Sequence, residues 1–461
     1  MVCRLSTFVV TLVLPGAAML LLSCGSGDGS GDSQPIAAAM PGGFIEKAGT
    51  AIRPRWSTTD LQDFVPKNRG KFTFPSPYLT EALRITTAED CDGSDCVRPV
   101  GYSYWRNMNN HVNSNEILIV LGLNQSHGGT GPTLFSYDKI TEEVNNRGPL
   151  FPSGHRLSSR STSGWYFSAT RPTTLYVNDG STMLRYDVLT HDSEVVFDVS
   201  ARFGDDREVW QMSSSNDDLV HAATLRVKGT TTTFLGCTVY LERTGELLYY
   251  PKAGDLDECQ IDKSGQFLII FEQLDGKNGM DNRIIDLASG DEERVLNVPG
   301  AGSLGHHDSG FGYVVGHDHY NRLPNAILTW NLSPFTRGPV DHIDYNWELV
   351  QAQHISHTNA QPGLPREQQY ACGSNADRRK YAQNEILCFR LDGSLTQLVV
   401  APVMADLDAR GGDANATGAG GDYDKSPKGN LDVTGRYFIW TTNLGGNRLD
   451  AFIVKVPGQL L

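Results

Sequence analysis

The sequence predicts an all-β chain folded as a seven-bladed propeller, and three observations lead there. Units of strand, loop and strand recur at a spacing of about 50 residues. Apolar runs have the length of strands, with almost no helical periodicity between them. The segments just before the turns are polar, as strands lining a central channel are. Eight blades, a parallel β-helix or a pair of sandwiches are the alternatives this pattern leaves open.

Two units carry the pattern most clearly. Asp262-Lys263-Ser264-Gly265 feeds Gln266-Phe267-Leu268-Ile269-Ile270-Phe271, and Asp432-Val433-Thr434-Gly435 feeds Arg436-Tyr437-Phe438-Ile439-Trp440. Each is a turn opening a strand, and each is followed by a second run, Arg283 to Leu287 and Asp450 to Val454. The same unit is found at Ile117 to Leu121 with Thr133 to Tyr137, and at Trp165 to Phe167 with Thr174 to Val177 and Met183 to Tyr186. It recurs at Leu219 to Leu225 with Thr233 to Leu241, at Phe311 to Val315 with Ala326 to Trp330, and at Asn384 to Phe389 with Thr396 to Val400.

In this register the innermost strands include Trp210-Gln211-Met212, Glu258-Cys259-Gln260, Gly305-His306-His307-Asp308, His354-Ile355-Ser356-His357 and Lys428-Gly429-Asn430. Their side chains converge on the axis, so Gln211, Glu258, Gln260 and Asn430 are expected to contact a ligand there. Seven of the 12 histidines lie between His306 and His357. Imidazole with carboxylate and amide oxygen suits a divalent metal such as Mn or Zn. The expected ligands are His307, His354 and His357, with Asp308 or Gln369 completing the sphere. His317 and His319 form a second pair on one strand face. A lone histidine at a blade junction more often braces backbone, and His221 fits that description. No organic cofactor is expected.

Before the repeats, Arg4 and an apolar stretch from Phe8 to Leu22 have the layout of an export signal. Leu21-Leu22-Ser23-Cys24 resembles the lipobox of bacterial lipoproteins, which implies cleavage before Cys24 and its acylation. The expected domains are therefore a signal peptide at 1–23, a tether at 24–43 rich in Gly, Ser, Asp and Ala, and the propeller at 44–461. Gly25 after Cys24 implies the outer membrane, within a cell-envelope location. The chain is expected to be a lipid-anchored monomer.

The net charge of −14, with no basic stripe, excludes nucleic acid as a partner. It leaves anionic ligands open, since a channel can focus a local field of opposite sign. Beyond Cys3 and Cys24, six cysteines fall into near neighbours: Cys91 with Cys96, Cys237 with Cys259, and Cys372 with Cys388. An even number in an exported chain predicts disulfides in those local pairs, with zinc disfavoured because no Cys-x-x-Cys is present. Asp406, Asp408, Asp413, Asp422 and Asp424, around a glycine-rich loop, offer oxygen ligands for Ca without the spacing of a helix-loop-helix calcium loop. That loop is read as a solvated acidic loop.

The turn-strand signature at Asp262 and Asp432 resembles propellers of the tryptophan-aspartate and Tol-system periplasmic types. The segments Gly305 to Gly310 and His354 to Asn359 resemble the histidine-bearing inner strands of oligogalacturonate lyases. That resemblance implies a metal-dependent oligosaccharide lyase, with a base at His306 or Tyr370 and a carboxylate clamp at Arg366 or Lys428. The sequence departs from that family where Lys428-Gly429-Asn430 stands in place of a Gln followed closely by two His. The rival reading is a non-catalytic envelope scaffold binding a protein partner. No Gly-x-Ser-x-Gly elbow and no His-Glu-x-x-His is present, so hydrolases of those families are unsupported.

Overall fold

The computed structural model describes residues 42–47, 53–277, 279–298, 304, 305, 307–317, 326–343, 354–376, 384–409 and 424–461. They form seven antiparallel sheets, the blades of a β-propeller. The segment expected to be a signal peptide, Cys24, most of the expected tether, His306, His319, Asp413 and Asp422 lie outside the described residues.

Blade 1 runs from the inner strand Met108–Asn109 through Glu116–Leu123 and Gly131–Asp138 to Val144–Pro149. Blades 2 and 3 begin at Tyr166–Phe167 and Arg207–Ser214, and blades 4 and 5 at Asp255–Ile261 and His307–Ser309. Blade 6 begins at His354–Ser356 and gains a fifth, outer strand from Phe44–Lys47. Blade 7 joins both ends of the described chain: Asn430–Leu431, Tyr437–Thr442 and Asp450–Lys455 are continued by Glu81–Arg84 and Gly70–Thr73. The ring is thus closed by hydrogen bonds between residues far apart in sequence.

All seven expected units fall in separate blades. The unit at Asn384 to Val400 contains the third and fourth strands of blade 6, whose second strand, Tyr370–Ser374, is a short Ala-Cys-Gly run that carries little strand signal. Between blades the apolar faces pack into continuous clusters, with Trp330, Trp440, Phe389, Phe438 and Phe452 fully buried.

The Asp turns have a physical purpose. Asp262 Oδ1 accepts from the backbone N–H of Gln266 (3.0 Å) and Phe267 (2.9 Å), and its Oδ2 accepts from Gly312 N–H of blade 5 (2.9 Å). Asp432 Oδ1 accepts from Tyr437 N–H (2.7 Å), and Oδ2 from the Asn110 amide of blade 1 (2.8 Å). Gly265 and Gly435 sit at φ +76° and +71°, where a side chain is disfavoured. Each turn therefore shapes its own hairpin and ties it to the next blade. Asp262→Ala is expected to leave these buried N–H groups unsatisfied and lower stability by roughly 2–4 kcal/mol, seen as a reduced denaturation midpoint.

The three cysteine pairs are disulfides, Cys91–Cys96, Cys237–Cys259 and Cys372–Cys388. Cys237–Cys259 links the third strand of blade 3 to the inner strand of blade 4, so the middle pair is a covalent bridge between blades.

Candidate axial site

All seven inner strands run in the same sense around the axis, so their first residues gather at one end of the channel and their last residues at the other. Gln211, Glu258 and Gln260 lie on inner strands, Asn430 begins one, and Lys428 leads into one. Gln211 and Lys428 hold left-handed backbones, at φ 45° and 41°. Such conformations in non-glycine residues persist where surrounding structure enforces them, and they cluster at functional sites.

The residues that connect this end were missed by the sequence analysis. They come from the segment leading into blade 1, Gly101-Tyr102-Ser103-Tyr104-Trp105-Arg106-Asn107. Trp105 Nε1 donates to the Met212 carbonyl of blade 3 (3.0 Å), and Asn107 exchanges hydrogen bonds with the Asn430 side chain of blade 7 (3.1 and 3.3 Å). Anchored at both sides, the segment crosses the channel mouth. Tyr102 and Tyr104 stack with ring centroids 5.6 Å apart and planes 6° from parallel. Tyr104 Oη donates to Glu258 Oε2 (2.6 Å), and Gln260 Nε2 donates to Glu258 Oε1 (2.8 Å). At the other end of the pair, the Tyr102 ring lies 5.2 Å from the His354 ring, and Lys428 Nζ is 6.0 Å from the Tyr102 centroid. A single line of polar and aromatic groups thus joins blades 4, 6 and 7. The available signal was three aromatic residues within four positions, in a stretch without strand alternation.

Burial sets the protonation of this line. Desolvation, with the neighbouring charge of Asp257, pushes the Glu258 carboxyl up to about 7. Desolvation pulls the Lys428 ammonium down to about 7 despite the opposing pull of Asp424. A carboxyl and an amine that both exchange protons near neutrality now stand at one mouth. Beneath Tyr104 is a cavity of about 30 Å³ lined by Arg106, Tyr166, Ser213, Ser214, Gln260, Lys263 and Asp308.

The expected metal ligands do not meet as a coordination sphere. His357 is fully buried, and both ring nitrogens are used: Nδ1–H donates to the Tyr370 carbonyl (3.0 Å), and Nε2 accepts from Tyr313 Oη (2.7 Å). Asp308 Oδ1 pairs with Lys263 Nζ (2.6 Å), and Oδ2 accepts His357 N–H (2.6 Å). Gln369 closes its own loop, accepting from Gln361 N–H (2.9 Å) and donating to the Leu364 carbonyl (2.7 Å). His307 stacks on Phe271 at 4.8 Å and donates Nδ1–H to the Gly305 carbonyl (3.2 Å). Of the five, only His354 reaches the aromatic line. Among the described residues, no group of three or more His, Cys, Asp or Glu is placed to hold a metal ion.

Two further expectations are relocated. Tyr370 donates its hydroxyl to the Gly435 carbonyl of blade 7 (2.8 Å), and Arg366 pairs with Glu367 (2.6 Å) in the loop that follows the inner strand of blade 6. Both stand beyond the last residues of the inner strands, away from Lys428 and Glu258.

Burial also holds His221, His307 and His357 down to about 4. Unfolded histidine takes up its proton near 6.5, so the stability these neutral rings contribute is present above that value and is lost as pH falls toward 4. Each is worth on the order of 3 kcal/mol when fully lost. A denaturation series should show a steep decline across that window, made shallower by His307→Phe.

The fold and the mouth define a class: a seven-bladed β-propeller with a polar, aromatic axial site. No family model and no curated protein sequence matches the chain. Among solved structures, it is similar to an oligogalacturonate lyase from Vibrio parahaemolyticus, with a TM-score of 0.57 and 11% identity over 86% of this chain and 99% of that one. It is also similar to an oligogalacturonate lyase in complex with manganese, with a TM-score of 0.56 and 13% identity over 86% and 98% of the two chains. At these identities the likeness establishes a shared fold.

Proposed function

We propose that this protein binds an acidic oligosaccharide at the axial mouth and cleaves it by β-elimination. The observation that carries the reading is the line Glu258, Tyr104, Tyr102, Lys428, with its two groups poised near neutrality. The stacked tyrosines offer a flat platform for a sugar face. Neutral Lys428 takes the proton α to the carboxylate, the bond to the departing oxygen breaks, and Tyr104, backed by protonated Glu258, returns a proton to that oxygen. Arg106, which lines the cavity below, is the cation suited to the substrate carboxylate. The residues first expected to hold a metal do not fit one, and no step is assigned to it.

The test is to incubate the full-length protein with uronate oligosaccharides and follow the ultraviolet absorbance of the unsaturated product. Activity should trace a narrow bell with its maximum near pH 7, because Lys428 loses its base form below that pH and Glu258 loses its proton above it. A flat profile would remove these two groups from the chemistry. Lipid anchoring through Cys24 is part of the same reading. It is tested by metabolic labelling with a fatty acid, which should fail in Cys24→Ala.

A further inference from the structure

A second, independent constellation borders the same cavity. Ser214 Oγ lies 2.6 Å from His221 Nδ1, and His221 Nε2 lies 2.5 Å from Glu242 Oε1. Because Nε2–H faces a carboxylate, Nδ1 is the lone-pair nitrogen, and the Ser214 hydroxyl must donate to it. Tyr166 Oη, 2.7 Å away, donates in turn to Ser214 Oγ. His221 is fully buried, and burial keeps it a neutral base at ordinary pH. Arg185 also pairs with Glu242, holding the carboxylate in place.

The propeller does not need polar groups here. Ser214 pairs with His221 across the first two strands of blade 3, and Glu242 N–H bonds to the carbonyl two residues before His221. The same register in blade 2 selects Phe167, Leu175 and Val188. In blade 4 it selects Ile261, Leu268 and Leu287, and in blade 7 Leu431, Phe438 and Val456. Three blades fill the position with apolar side chains, and blade 5 with Ser309, Val314 and Leu332, so a blade is braced here without the desolvation cost of a histidine and a glutamate. Only in blade 3, among these five, does a serine at the position stand with a base and a carboxylate.

We propose that Ser214 is the nucleophile of an acyl-transfer site, with His221 as its base and Glu242 orienting the ring, acting on small acyl esters carried by a ligand in the channel. Ser214 Oγ bonds to the carbonyl carbon as its proton passes to His221 Nδ1. The alkoxide then leaves with that proton, and water, activated by His221, hydrolyses the acyl-serine to the carboxylic acid. A cavity of about 30 Å³ holds roughly two water molecules, so the acyl group is no larger than acetyl. This activity does not rest on the elimination reading.

The test treats the full-length protein with methanesulfonyl fluoride, a probe of acetyl size, and maps the product by peptide mass spectrometry. Turnover of para-nitrophenyl acetate is followed in parallel. Sulfonylation should fall on Ser214, abolish ester turnover and vanish in Ser214→Ala. His221→Gln should slow labelling by roughly 100-fold or more. Glu242→Gln, at a partly exposed position, should also slow it while circular dichroism shows the fold retained. Wild-type protein left unmodified at Ser214, or labelling as fast in Glu242→Gln as in wild type, would overturn the proposal and leave the three residues as a brace.

Discussion

Asp308→Ala is expected to destabilise the propeller by about 3–5 kcal/mol, the usual cost of removing one partner from a buried ion pair. Asp308 and Lys263 are both about 95% buried, and the carboxylate also accepts the Ser309 (2.8 Å) and His357 (2.6 Å) backbone N–H groups. It therefore holds together blades 4, 5 and 6. The variant leaves the Lys263 ammonium buried without its ion-pair partner, still donating to the Ser309 carbonyl. Pairing it with Lys263→Met should restore most of the loss, since the orphaned charge is then gone. Urea denaturation of the two variants reads both effects. A metal-ligand role for Asp308 would instead give a destabilisation that follows added metal and is not rescued by Lys263→Met.

Lys428→Met is expected to lower turnover of a uronate oligosaccharide by roughly 100-fold to 10,000-fold, the span that general-base catalysis contributes, with little change in stability. Methionine keeps the length and removes the amine from a site that already disfavours charge. Glu258→Gln should flatten the fall in activity above pH 7, because the amide still accepts from the Tyr104 hydroxyl and imitates the protonated acid but has no proton to lose. Rates that follow fold stability in both variants would assign these residues to structure alone.

The blades were legible because their signals are local. Asp262 and Asp432 cap turns whose glycine and following apolar run lie within a few residues, and each cysteine finds a partner in the same connection, the same blade or an adjacent blade. Ring closure was not legible, since Glu81–Arg84 pairs with a strand about 370 residues later, and short-range pattern carries nothing over such a separation. The histidines misled for a related reason. His357 has the spacing of a ligand, but its nitrogens are taken by the Tyr313 hydroxyl, 44 residues before it, and by a backbone carbonyl, 13 residues after it. The channel register pointed to Glu258 and Gln260, which lie on an inner strand, and to Lys428, which leads into one. It could not show that Tyr102 and Tyr104 connect them, because those tyrosines stand on a connection with no strand period to place it.

The central claim is that the line from Glu258 to Lys428 forms the ligand site. The most direct measurement is calorimetric titration of the full-length protein with uronate oligosaccharides, beside Lys428→Met and Tyr102→Ala variants whose folds are verified by circular dichroism. The account predicts binding by the wild type that weakens about tenfold or more in each variant, equivalent to about 1.4 kcal/mol. Absence of binding by the wild type, or equal affinity in all three proteins, would contradict it.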